Sequence, residues 1–309
     1  MTLPARHKLT LSLDPDADLH FCVPAFLLHE FNYARSLEEG LALSLDPEFN
    51  HQYRVALRRT RSLCLLLKET LPPFELSILK PSLKLLMKQT NKLRDLDVFI
   101  LGKAAYYAML PERKESLHKV FAHIEARQRI EQSRVSLWLQ SDGYQKTCVL
   151  LSNSFHRAIS NDDDTLQNST LAFSNSKVLS HFTKVIKASK KLSPTSPDDA
   201  IHRLRIECKK LRYLLEYFSV FYPDERHKSN VKHLKSLQDS LGDFNDTSSQ
   251  LAFFRQQRES NVFGKEELKT VKTLLKKLKM HHFDARLSVL NHLKDFQRAI
   301  HQNASLSIY

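Results

Sequence analysis

Glycine is scarce. The 309-residue chain holds five, at Gly40, Gly102, Gly143, Gly242 and Gly264, where an average chain would carry about 7%. They stand too far apart for G-x-G-x-x-G or G-x-x-x-x-G-K-S/T. Rossmann and P-loop nucleotide binding are therefore excluded, because each needs clustered glycines to bring backbone amides onto phosphates. The four cysteines (Cys22, Cys64, Cys148, Cys208) form no C-x-x-C pair. With no secretion signal at the start of the chain, they read as reduced thiols of a cytoplasmic protein. Long apolar runs are missing too. Stretches such as Leu63–Leu67 fall far short of the ~20 residues of a membrane span, so no membrane association is expected. Neither H-E-x-x-H nor G-x-S-x-G occurs, and no Ser or Cys has an obvious base partner. The expectation is a protein that is not an enzyme and needs no cofactor.

What is present is hydrophobic residues at 42% and an excess of cations, 47 Lys+Arg against 34 Asp+Glu, net +13. The first suffices for a core; the second attracts polyanions without choosing among them. Apolar spacing of about 3.6 residues predicts an all-α chain. Helices are expected from about Pro24, with Gly40 as a stop, and from Asp46-Pro47-Glu48 to about Leu71. Others are expected over Ser77–Lys103 with Pro81 in the first turn, over 112–140, and over 142–158. Beyond these lie Ala172–Leu192, a helix capped by Asp198 reaching Phe221, Lys228–Arg258 and Lys265–Gln302. Residues 1–21 read as an arm, with a short strand at Lys8–Leu13 and a turn at Asp14-Pro15-Asp16. The polar stretch at 160–170 reads as a linker.

The chain also resembles itself. At a shift of 151 residues, His51 meets His202, Arg54 meets Arg205, Arg58 meets Lys209, Arg59 meets Lys210 and Arg61 meets Arg212. The same register carries Pro72 onto Pro223, Lys84 onto Lys235 and Asp95 onto Asp246. At ~100° per residue, His51, Arg54, Arg58 and Arg61 fall within roughly 80° of arc, with Arg59 on the flank. His202, Arg205, Lys209 and Arg212 repeat the stripe. Like charges at this spacing cost about 0.2–0.5 kcal/mol per pair, and an ordinary solvated face would mix in acids. The first segment contains none and the second only Glu207. Either the fold brings acids in, or an anion binds.

Further lysines, Lys80, Lys84, Lys88 and Lys92, recur every fourth residue of the next helix, and Lys232 and Lys235 occupy the matching part of the second half. Asp95 and Asp246 are candidates for orienting a neighbouring arginine. Asp95 with Asp97 is a weak metal pair, lacking a matching His or Glu set, so no metal is expected.

These residues resemble the CHAD family, the conserved histidine α-helical domain. The likeness rests on His51-x-x-Arg54-x-x-x-Arg58-Arg59-x-Arg61 and on Arg94-Asp95-Leu96-Asp97-Val98. It continues in His202-x-Leu204-Arg205-Ile206-x-x-Lys209-Lys210-Leu211-Arg212-Tyr213 and in the segment from Leu237 to Asp246, and it spans roughly residues 22–300. It implies two pseudo-symmetric helical bundles, 22–159 and 171–309, facing a basic central channel. It also implies binding of inorganic polyphosphate and targeting to polyphosphate granules. The site residues so implied are His51, Arg54, Arg58, Arg59, Arg61, Lys84, Lys88, His202, Arg205, Lys209, Lys210, Arg212 and Lys235. The E-x-E-x-K signature of the triphosphate-tunnel module often fused to this family is absent, so the chain resembles a stand-alone member. Asn91, opposite Gly242 in the repeat, departs from the pattern. A nucleic-acid binder using the same surface, a metal-dependent polyphosphate-processing enzyme and a helical protein meeting an acidic partner are the competing readings. Few aromatics interleave with the stripes, which disfavours stacking on single-stranded nucleic acid.

Overall fold

Acids and prolines fix where the helices begin. Asp18 caps α1 (Leu19–Ser36), its carboxylate accepting from the His20 amide at 2.8 Å. Asp46 caps the later helix Pro47–Leu66, accepting from the Glu48 amide at 2.7 Å. Pro47 there occupies the first turn, where a missing N–H costs nothing. The computed structural model describes residues 2–7, 13–161, 169–223, 225–260 and 262–302. Twelve α-helices and no strand occur among the described residues. After α1 come α2 (Glu38–Ala42), α3 (Pro47–Leu66), α4 (Pro73–Gln89), α5 (Asn91–Leu101), α6 (Lys103–Met109), α7 (Lys114–Leu139) and α8 (Asp142–Ile159). The order closes with α9 (Thr170–Lys190), α10 (Asp198–Tyr217), α11 (Glu225–Glu259) and α12 (Lys265–Gln302). No described helix is long and apolar enough to cross a membrane.

The 151-residue register reappears in the helix boundaries. Shifted by it, α3 lands on α10 end to end, the 3-10 turn Lys68–Thr70 lands on Ser219–Phe221, and the start of α7 lands on the start of α12.

Several expectations are corrected. The arm ends at Asp18, since α1 starts at Leu19 and carries Pro24 inside it. The turn at residues 14–17 forms, with the Ala17 amide donating to the Asp14 carbonyl at 3.1 Å. Most of the expected strand, residues 8–12, and most of the expected linker, 162–168, lie outside the described residues. The helix expected over 77–103 is longer at its start and broken at Thr90, and Pro81 lies in the interior of α4. Asp198 is no cap; Pro197 holds that position, and Asp198 instead receives Arg286 at 2.8 Å and His282 at 3.0 Å. Gly40 is not a stop. It lies buried within α2, where an added Cβ would overlap the Phe49 ring.

The helices form two units, residues 1–98 with 125–173, and residues 99–124 with 174–309. In the first, α3 packs on α1 and α4, and both of those pack on α8. Its core includes Phe31, Tyr53, Tyr144 and Phe155, with Phe31 and Phe155 rings 5.8 Å apart. The Tyr53 and Tyr144 hydroxyls meet at 3.3 Å, and Tyr144 donates onward to Glu38. In the second, α11 packs on α10 and α12. Phe99 stacks on Phe253 at 3.8 Å, and Tyr106 meets Phe121 at 5.5 Å and Phe254 at 5.2 Å. All four cysteines are free and buried, where burial pushes the Cys64 thiol up to about 12 and the Cys148 thiol up to about 11.

Gly40→Ala should cost about 1–3 kcal/mol through overpacking against Phe49. A lower urea midpoint with an unchanged slope would register it, and an unchanged midpoint would mean the ring simply moves aside.

Candidate anion-binding site

On α3, the apolar face of Phe49, Tyr53, Ala56, Leu57, Leu63 and Cys64 is buried in the first unit. The helical period therefore turns His51, Arg54, Arg58 and Arg61 the other way. None of them stands clear of the protein: all four, and Arg59, are half-buried. Arg54 is fixed in place. Its Nη1 donates to the Met87 carbonyl at 3.0 Å, Thr90 Oγ1 at 3.1 Å and Asn91 Oδ1 at 2.7 Å. Those acceptors surround the C-terminal end of α4, whose last carbonyls have no partner inside the helix. Arg134 joins from α7, donating to the Gln89 carbonyl and, at 2.8 Å, to Gln89 Oε1. Two guanidinium groups thus receive the negative end of α4.

Asn91 finds its role here. It opens α5 and offers Oδ1 to Arg54, whereas its counterpart Gly242 lies inside the unbroken α11 with open space where a Cβ would go.

Arg58 and Arg61 make no ion pair with any carboxylate among the described residues, and the Nε of each is buried without an acceptor. Arg94, on α5, belongs to the same group. Its charge acts on His51 and on Arg54, Arg58 acts on it in return, and its Nη1 is a further buried donor without an acceptor. Arg94 was missed as a site residue because its repeat partner is Asn245; the signal that could have found it was the Arg94-Asp95 pair itself. Burial first, then Arg94, Arg58 and Arg54, hold His51 below its ordinary value, against a smaller upward pull from Glu48. His51 is therefore neutral at pH 7.

The two acids of α5 diverge. Asp95 keeps solvent access while burial raises its carboxyl, and Arg54 and then Arg94 pull it back down. Asp97 is buried and accepts from Asn50 Nδ2 at 2.9 Å and Gln128 Nε2 at 3.0 Å. It ties α3, α5 and α7 together, and its oxygens are already occupied. No cluster of three potential metal ligands exists among the described residues.

On α10, Ile201, Leu204, Cys208, Leu211 and Leu214 are buried in the second unit, and His202, Arg205, Lys209, Lys210 and Arg212 are half-buried. His202 lies against the Phe244 ring at 5.5 Å. This stripe carries more of its own compensation. Lys210 meets Glu207 at 2.7 Å, and Arg212 meets Glu216 at 3.2 Å and Gln238 Oε1 at 3.3 Å. His181 of α9 adds to the same region, 3.9 Å from Glu207. Burial, then Lys184, Lys210 and Lys177, push His181 down to about 4 against the opposing pull of Glu207.

Lys84 and Lys88 are exposed on α4, close in sequence to the Met87 carbonyl that Arg54 holds, and Lys235 is exposed on α11. None of the three makes an ion pair among the described residues. Lys92 does, with Glu131 at 3.1 Å, which removes it from the group. Asp246 is exposed, accepts from Asn245 Nδ2 at 3.3 Å, and raises the Asp243 carboxyl together with burial and Asp239.

A family model of the CHAD domain matches residues 25–255. The chain belongs to the CHAD family. Among solved structures, the CHAD domain from the plant Ricinus communis is similar at 23% identity and a TM-score of 0.75, covering 92% of this chain and 94% of that one. PptA from Streptomyces chartreusis is similar at 16% identity and a TM-score of 0.69, covering 91% and 100%. Both likenesses are of fold. No curated protein matches.

The His181 environment fixes a sign for stability in this CHAD protein. With the folded value depressed to about 4 and the unfolded one near 6.5, the unfolded chain takes up the proton first. Stability should fall as pH drops from about 6.5 to about 4. His181→Gln should flatten that decline in thermal melts, and an equally steep decline in the variant would assign it to other groups.

Proposed function

We propose that this CHAD protein binds inorganic polyphosphate through the cationic stripes of α3 and α10, with Arg94, Lys84, Lys88 and Lys235 adding to them. One observation carries the reading: Arg58 and Arg61 are half-buried on one ridge of α3 with no carboxylate partner among the described residues. Burying guanidinium charge without an acid is unfavourable unless something else supplies the negative charge. Polyphosphate suits that need. It carries about one charge per phosphate, flexes to follow a ridge, and offers oxygens that arginine forks grip in pairs. A repeating polymer can engage several cations along one stripe, so affinity comes from multivalence and not from any single contact. In a cytoplasm that stores the polymer as granules, such a protein would be recruited to them.

The aromatic residues beside the stripes argue against single-stranded nucleic acid. Tyr53 and Tyr213 are both buried, so neither ring is free to stack on a base. The acids argue for a binding module over an enzyme, since Asp97 is occupied by Asn50 and Gln128.

Titration with polyphosphate at two salt concentrations tests the reading. Affinity should fall steeply with salt and rise with chain length, and orthophosphate should compete weakly. Arg58→Ala should reduce the salt slope by about 1 and leave the fold intact. Arg58 and Arg61 serve this purpose better than Arg54, whose loss would also uncap α4. Equal affinity for short and long phosphates, or displacement by duplex DNA at equal phosphate concentration, would count against it.

Binding should also take up protons. Bound phosphates oppose the arginines that hold His51 down, so its affinity for a proton rises in the complex. Affinity should strengthen as pH falls from about 7 toward 5.5, through the ordinary histidine range. In His51→Gln this component should vanish, which calorimetry in two buffers of different ionisation heat would detect.

A further inference from the structure

The last helix carries a second feature that the stripes do not use. α12 runs from Lys265 to Gln302, beyond the 25–255 stretch that the CHAD family model matches. Its inner face, including Val271, Leu274, Leu275 and Leu278, is buried, and the helix packs on α11. The outer face is the unusual one. At ~100° per residue, Lys265, Lys269, Lys272, Lys276 and Lys279 fall in one band of about 100°. All five are exposed, and none makes an ion pair among the described residues. The two glutamates at the start of the helix are engaged elsewhere, Glu266 lying 3.9 Å from Arg113 and Glu267 3.7 Å from Lys119. Lys277, off the band, donates to the Met109 carbonyl.

The same band continues in apolar residues. Met280, Phe283 and Leu287 are 67%, 59% and 44% exposed. They stand at i, i+3 and i+7, the spacing with which one helix anchors to another. Beyond them the band becomes cationic again at Lys294 and Arg298, both exposed.

We propose that the outer face of α12 docks an acidic amphipathic helix of another protein, one whose binding face carries aspartates and glutamates over about four turns and apolar residues over the adjoining two. Three occupants fit less well. An inorganic polyanion would neutralise the lysines but leave Met280, Phe283 and Leu287 in water. A second copy of this chain, paired antiparallel about Phe283, would set Lys272 opposite Lys294 and repeat like charge against like. A bilayer needs a broad apolar face, whereas the apolar face of α12 is spent on α11. What remains outside is a row one residue wide, bordered by the exposed Asp284, which an anionic lipid surface would repel. A partner helix meets both halves of the row, its carboxylates on the lysines and its apolar side chains between Met280, Phe283 and Leu287.

The test uses the full chain and a labelled synthetic peptide of about 24 residues, matching the stretch from Lys265 to Leu287. The peptide's binding face carries glutamate over about four turns and leucine over the adjoining two. Anisotropy should show saturable binding, weakened about tenfold or more by Phe283→Glu and by Lys269→Glu with Lys272→Glu. A scrambled peptide of equal charge should bind weakly, and polyphosphate affinity of both variants should match that of the parent chain. Phe283→Ser, less drastic at an exposed position, guards against misfolding and should also weaken the peptide. Failure of the peptide to bind, equal binding by the scrambled peptide, or equal binding by all variants would overturn the proposal. So would capture by vesicles of phosphatidylserine and phosphatidylcholine in equal parts that the same variants abolish, in which case the face meets a membrane.

Discussion

A single guanidinium nitrogen organises the first unit's cationic surface. Arg54 Nη1 gathers a carbonyl, a hydroxyl and a side-chain amide oxygen at the end of α4, and so fixes the rotation of α3 against that helix. Once Arg54 is placed, the helical period places His51 one turn before it and Arg58 and Arg61 one and two turns after. The break at Thr90 belongs to the same arrangement. It frees the Met87 carbonyl that Arg54 needs and starts α5 at Asn91, which brings Arg94 and Asp95 into range of the stripe. Cap, break and stripe are one arrangement seen from three sides.

That arrangement holds positive charge in a half-buried setting with few acids to answer it. Stability tolerates this because a few like-charge neighbours cost about 1 kcal/mol in total, small against the burial of a full helical core. The two units handle the problem differently. In the second, Glu207 and Glu216 lie beside Lys210 and Arg212. In the first, Arg58 and Arg61 have no such partner. The stripe of α3 is therefore the one whose charge is most available to an anion, and that of α10 is the one more restrained by its own fold.

Much of this was legible in the sequence, for identifiable reasons. The helix start at Asp46-Pro47 could be read because capping is local chemistry. The stripe residues could be read because a period and a repeat mark them twice. The misreadings share a cause, which is tertiary contact overriding a local signal. Gly40 resembled a stop, but it is small because Phe49 passes over it. Asp198 resembled a cap, but Arg286 and His282 claim it from α12. The groups that receive the end of α4 at Thr90, Arg54 and Arg134, are distant in the chain, so no local signal announces them. Lys92 resembled its neighbours Lys84 and Lys88, and only the fold reveals Glu131 facing it. The acids of the α10 stripe were legible, since Glu207 and Glu216 stand three and four residues from Lys210 and Arg212; that no acid from elsewhere among the described residues folds beside Arg58 and Arg61 was not, because the sequence does not say which carboxylate will meet which arginine.

The segment 99–124 has a consequence for how this chain can be divided. It belongs in sequence to the first repeat, yet its Phe99, Tyr106 and Phe121 are core residues of the second unit, against Phe253 and Phe254. The unit of repetition and the unit of packing are therefore not the same object. Severing the backbone at residue 160 would separate two similar sequences without liberating two finished domains, because the downstream fragment would lack an aromatic wedge that only the upstream one carries. The second unit is thus completed by a segment that the first half encodes, so the downstream half depends on the upstream one for its core.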